Sequence, residues 1–246
     1  MPASRNRGSG SAQGIASPTI AETLETFLAE TGRSRGARRQ AEFEAAAGLL
    51  VECLNGYAHQ GLSKEDTALW RRHYDAGGEE HREFCEVFGP EHLLPNLGEF
   101  LGWFMVRKVI GPKYLMKAAG DMTRDLARWL GEKGYASAED AREAAARGAE
   151  AARDLPQAET LALFLYDLTG DRNAEDYADM EEGQFTVTKV EPGRLRLEHP
   201  DGRDLGAVPV PRKASDLCRE GWAIAGAIGR RGGRWHLVDA WNVYPG

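Results

Sequence analysis

At 246 residues, 42% hydrophobic and 28% charged, the chain has the composition of a folded globular protein, long enough for one large domain or two ordinary ones. It contains no run of about 18 apolar residues and no apolar signal core near the N-terminus, which disfavours membrane and secreted classes and leads us to expect a cytoplasmic protein. The net charge of −7 is uneven: residues 171–182 hold six acids against Arg172, whereas residues 183–246 hold ten bases against seven acids, a weak compositional pointer to a polyanionic partner.

Residues 1–18, rich in Ser, Gly, Ala and Pro without apolar periodicity, read as a flexible tail. Thr19 and Glu22 have capping-box spacing, and Leu24, Phe27 and Leu28 predict a first helix that Gly32 ends. A second helix is predicted from Ala37 toward Ala58, a third from Ser63 to Gly77, and a fourth through Phe84, Val87 and Phe88. Pro95 precedes a strongly apolar segment from Leu97 to Val109. After Pro112, Leu115, Ala119, Met122, Leu126, Trp129 and Leu130 recur at helical steps, with Lys113, Lys117, Arg124 and Arg128 in a narrow arc opposite. Such an arc is ordinarily a solvated face; its alternative use is contact with a polyanion. Ser137 and Asp140 start another helix, Pro156 is expected to break it, and Leu161–Leu168 is expected to form a separate apolar helix ending at Gly170.

Beyond Gly183 the apolar period changes from helical to alternating. Phe185 and Val187, Leu195 and Leu197, Val208 and Val210, then Trp222 to Ile228 and Trp235 to Leu237 read as short strands, with turns at Pro192-Gly193, His199–Gly202 and Arg231–Gly233. Val243 and Tyr244 suggest a last short strand, and Lys213–Arg219 a helical turn. Five or six strands in so short a stretch suggest a small antiparallel β-barrel of SH3-like or OB-like type, because closure protects the edges. Phe185, Trp222 and Trp235 would fill it. The expected fold is therefore α+β: a helical domain over 19–170, an acidic linker over 171–182 and a barrel over 183–246.

Motifs for chemistry are sparse. Asp171, Asn173, Glu175, Asp179 and Glu182 have the spacing of a calcium loop, but Asp176 occupies the position where the sharp turn requires Gly, and a solvated acidic linker is the better reading. His81 and Cys85 lie four apart on a predicted helix, too few ligands for zinc. Cys53, Cys85 and Cys218 are odd in number and far apart, as expected of reduced, buried thiols. There is no nucleophile elbow and no phosphate-binding glycine loop, so no catalytic residue, metal or cofactor is assigned and an enzyme is disfavoured.

The segment from Lys113-Tyr-Leu-Met-Lys117 through Asp125-Leu-Ala-Arg-Trp-Leu-Gly-Glu-Lys-Gly-Tyr135, within residues 100–135, resembles the SAM-like N-terminal core-binding domain of phage-type tyrosine recombinases. The resemblance covers about a sixth of the chain and implies that Lys113, Lys117, Arg124 and Arg128 lie toward DNA. It does not extend to recombination, since none of the six histidines is followed three residues later by Arg. The expected function is thus a non-enzymatic binding or adaptor protein engaging nucleic acid through that helix face and through Arg194, Arg196, Arg230, Arg231 and Arg234, with Lys213, of the β module. The alternative is a protein-interaction scaffold with a helical groove.

Overall fold

The computed structural model describes residues 14–246. Residues 1–13 of the expected tail lie outside the described residues, but its end is tied down: the Ala16 N–H donates to the Val87 carbonyl at 2.9 Å. Helices come first: α1 (Ile20–Gly32), α2 (Ala37–Tyr57), α3 (Lys64–Tyr74), α4 (Phe84–Val87), α5 (Leu93–Glu99), a π-helical stretch (Phe100–Phe104) continuing into α6 (Met105–Arg107), α7 (Lys113–Glu132) and α8 (Ala138–Thr169). Strands β1 (Ala178–Glu191), β2 (Arg194–Glu198) and β3 (Asp204–Pro209) follow, then helix α9 (Arg212–Leu217), β4 (Ala223–Arg231) and β5 (Arg234–Tyr244).

The helix starts have the side chains their chemistry demands. The Thr19 hydroxyl accepts the Glu22 N–H at 3.2 Å while the Glu22 carboxylate accepts the Thr19 N–H at 2.9 Å, so two otherwise orphaned donors are satisfied reciprocally. Ser63 and Ser137 cap α3 and α8 by accepting the N–H groups of Asp66 and Asp140.

Two apolar cores organise these elements. The first gathers Phe27, Phe43, Leu50, Phe84, Phe100, Met105, Met122 and Leu126 from the helices, and the second gathers Phe185, Val187, Leu195, Trp222, Ile224 and Leu237 from the sheet. Helix α8 serves both: Ala144, Ala145 and Leu155 enter the first core, and Ala158, Leu161 and Leu165 enter the second. Pro156 therefore does not break it. A proline in a helix interior costs about 3 kcal/mol, and here burial of apolar side chains on both sides of it offsets that cost. The helical domain expected to end at 170 thus shares its last three turns with the sheet.

The sheet is a five-stranded antiparallel array in the order β3-β2-β1-β4-β5. It is open, which corrects the expected barrel: β3 and β5 approach one another at the edges, yet no ladder joins them. The physical reason is α8, whose last turns cover the apolar face and remove the need for closure. Phe185, Trp222 and Trp235 are buried as expected, while Trp241 stays exposed with its indole N–H donating to Asp239. Two boundaries shift. Strand β1 begins at Ala178, inside the expected linker, because Ala178–Glu182 already pair with β4, and Val243 and Tyr244 extend β5 rather than forming a sixth strand.

Helices α7 and α8 cross at a glycine contact. A Cβ on Gly120 would lie 2.1 Å from the Ala152 backbone nitrogen, and one on Gly148 would lie 2.5 Å from that of Arg124. With α8 on one side and α2 on the other, α7 is buried over much of its circumference, including Gly120, Asp121 and Thr123.

Candidate functional site

The arc predicted on α7 exists, but it is not a free basic face. Asp121 lies within it, four residues after Lys117 and three before Arg124, and its carboxylate is only 6% exposed. Lys117 Nζ donates to Asp121 Oδ2 at 2.7 Å and Arg124 Nη1 to Oδ1 at 2.8 Å, while Arg124 also engages Asp125 at 2.9 Å. Arg128 is exposed without an ion pair among the described residues, and Lys113 lies at the far end of α7, beside half-buried Glu159.

The β-module residues do not assemble with them. Arg194 opens β2 opposite Glu191, whereas Arg230, Arg231 and Arg234 lie at the β4–β5 turn, opposite Ala178. Thirteen residues of β1 separate those positions, on the order of 40 Å of strand. Arg196 is held by Asp204 at 2.6 Å, Arg230 lies over the Trp235 ring, and Lys213 covers Phe164. The ten bases therefore form no single patch.

What the structure does bring to the α7 arc is the connector between α1 and α2 together with the first turn of α2. Arg39 Nη2 reaches Asp121 at 3.4 Å, and Arg38 pairs with Glu42 along α2. Arg35 is nearly buried, its guanidinium 3.8 Å from the Phe43 ring centroid and 3.7 Å from Asp125. Exposed Arg33 begins this connector. The surface then holds Arg35, Arg38, Arg39, Lys117, Arg124 and Arg128 against Glu42, Asp121 and Asp125, an excess of three positive charges in a protein of net charge −7, while Arg33 acts on Glu30. Between α2 and α7 it sinks into an open cleft of about 590 Å³, with Arg38, Arg39, Tyr114 and Lys117 at its sides and Phe43 and Asp121 deeper in.

Its electrostatics are internally consistent. Burial pushes the Asp121 carboxyl upward, but the Lys117 hydrogen bond and the charges of Lys117, Arg124 and Arg39 outweigh that and hold it below the usual carboxylate range. Burial lowers Arg35 against the pull of Asp125, and Arg124 is raised because its carboxylate partners exceed its desolvation. Asp121 thus acts as the anchor that orients three cations.

This segment, the connector and the start of α2, was missed in the sequence although its signal is plain: Arg33, Arg35, Arg38 and Arg39 are four arginines within seven residues. Asp121 and Asp125, in the same helical arc as the bases, are a second overlooked signal.

The weaker constellations come apart. His81 precedes α4, so it shares no helical face with Cys85, and its ring engages the Tyr74 carbonyl and Glu83. Burial pushes the thiols of Cys53, Cys85 and Cys218 up to about 12, and all three are free. Asp179 and Glu182 belong to β1 and cannot wrap around an ion with Asp171, and among the described residues no three His, Cys, Asp or Glu side chains are placed to hold one. No helix among the described residues is long and apolar enough to cross a membrane. No protein-family model, curated protein or solved structure matches the chain.

Proposed function

We propose that this is a non-enzymatic binding protein whose α2–α7 surface engages nucleic acid. The observation that carries the reading is the convergence of six bases from the α1–α2 connector, the first turn of α2 and α7 on one surface, with three carboxylates among them, in an otherwise acidic chain. Exposed Arg38, Arg39 and Arg128 would meet phosphates, and Asp121 and Asp125 would hold Lys117 and Arg124 in place. The recombinase resemblance points to the same α7 residues, though it leaves out the connector.

The test is fluorescence anisotropy with labelled single- and double-stranded oligonucleotides over a salt series. Saturable binding that weakens steeply with salt is expected, and replacing Arg38, Arg39 and Arg128 with Ala should reduce the log–log slope by about two to three. The matching triple replacement of Arg194, Arg231 and Arg234 should leave it unchanged. Absence of binding at low salt would overturn the proposal.

A protein partner is the second reading. It is favoured by Leu163 and Tyr166, both exposed and three residues apart on the outer side of α8. Salt-insensitive association, lost on replacing both with Ser, would identify it.

A further inference from the structure

We infer that the α2–α7 cleft takes single-stranded rather than duplex nucleic acid, with the Tyr114 ring stacking on an unpaired base while Arg38, Arg39 and Lys117 hold the flanking phosphates. This rests on the nucleic-acid reading above and adds to it the form of the ligand and a residue that discriminates between forms.

Three observations carry it. The first is shape: the basic surface is concave, an open depression of about 590 Å³ with basic and aromatic side chains along it. Such a cleft admits a splayed-out nucleotide. A duplex keeps its bases stacked inside, so only its backbone could touch the rim, and the interior of the cleft would go unused.

The second is Tyr114. It stands in the first turn of α7 and lines the cleft, yet its side chain remains 53% exposed and makes no hydrogen bond or ring contact among the described residues. Of the other exposed tyrosines, Tyr74 stacks on Trp70 and Tyr135 lies against Trp129, whereas Tyr166 is as open as Tyr114 but lies on α8 and does not line this cleft. Phe43, the other aromatic side chain of the cleft, is buried under Arg35 and unable to receive a base. Tyr114 therefore offers an open π-face in a cleft that Arg38, Arg39 and Lys117 line together with Glu42 and Asp121, and aromatic faces beside basic side chains are what single-strand binders use to stack bases without reading sequence.

The third is the solvent exposure of the charges beside it. Arg38 is 85% exposed and, among the described residues, pairs with Glu42 alone, so it can exchange that carboxylate for a phosphate at little cost. Lys117 and Arg39 share Asp121 but keep about half of their side chains in solvent, leaving donors free for a second anion. The α2 start adds to the same field: Gly36 supplies no side-chain cap, and no acid occupies the first turn.

The experiment uses the full chain and oligomers of one length in two forms, an oligo-dT carrying a central 2-aminopurine and the corresponding duplex. Wild-type protein should bind the single strand at least tenfold more tightly than the duplex and quench the 2-aminopurine emission by stacking. Tyr114→Ala should weaken single-strand binding by about tenfold and abolish the quenching while leaving the salt slope intact, and Tyr114→Phe should retain both. Arg38→Ala with Arg39→Ala should lower the slope instead. Equal or tighter duplex binding, or an unchanged Tyr114→Ala protein, overturns this inference and leaves the nucleic-acid reading standing. Failure to bind either form overturns both.

Discussion

Gly120 and Gly148 meet where no side-chain atom fits, and the groups in the way are backbone. Overpacking ordinarily costs about 1–3 kcal/mol, and backbone cannot move aside as a side-chain tip can, so Gly120→Ala or Gly148→Ala should cost about 3 kcal/mol or more in urea unfolding. Gly48, exposed in α2 with nothing within 4 Å of a Cβ, should behave oppositely, with Gly48→Ala stabilising by about 1 kcal/mol. Asp121 supplies a pH signature. Its folded pKa lies below the unfolded value, so its stabilisation is fully present above roughly pH 4 and is lost as pH falls through the folded value. Acid titration of the unfolding midpoint should show that loss, and Asp121→Asn should remove it while lowering stability at neutral pH by about 2 kcal/mol, discounted for the solvent reaching Lys117 and Arg39. The buried thiols should react with a thiol reagent near neutral pH only when the protein is unfolded.

At the scale of elements, α8 is the departure with the widest consequences. Proline at 156 reads locally as a stop, since it lacks an N–H and crowds the preceding turn. The helix persists because Leu155 and Ala158 enter different cores on either side of it. Pro156→Ala should therefore raise stability, by about 1–3 kcal/mol, measured by chemical denaturation; a loss would show that the proline sets a bend on which the docking of the sheet depends. Helix α7 teaches the converse lesson. Its amphipathic period correctly placed Met122, Leu126 and Leu130 in the core, yet the same period could not show that Gly120 and Thr123 would also be buried, because that burial comes from α8, which follows in the chain.

For the whole molecule, a helix shared by two cores couples them. Further links cross the same boundary: Asn242 donates to the Val106 carbonyl, and Arg219 reaches Asp154 and Gln157 on α8. Unfolding should accordingly be one cooperative transition, with far-ultraviolet circular dichroism and tryptophan fluorescence reporting the same midpoint, since Trp129 belongs to the first core and Trp222 to the second. Two separated transitions would mean that α8 does not transmit stability between the cores.

Local chemistry alone determined the helix starts at Thr19, Ser63 and Ser137, the hairpin turns at Pro192-Gly193 and Arg231–Gly233, and the change from helices to strands. Each of these depends on residues within a few positions of one another, through capping hydrogen bonds, turn geometry or apolar period. Only the tertiary structure decided that the sheet stays open under α8, that Lys117 and Arg124 of the predicted α7 arc are anchored by Asp121, and that Arg35, Arg38 and Arg39 join them some 80 positions away in sequence. Those outcomes depend on which surfaces meet. Periodicity identifies a buried face without identifying what buries it, and charge composition counts cations without revealing which of them converge.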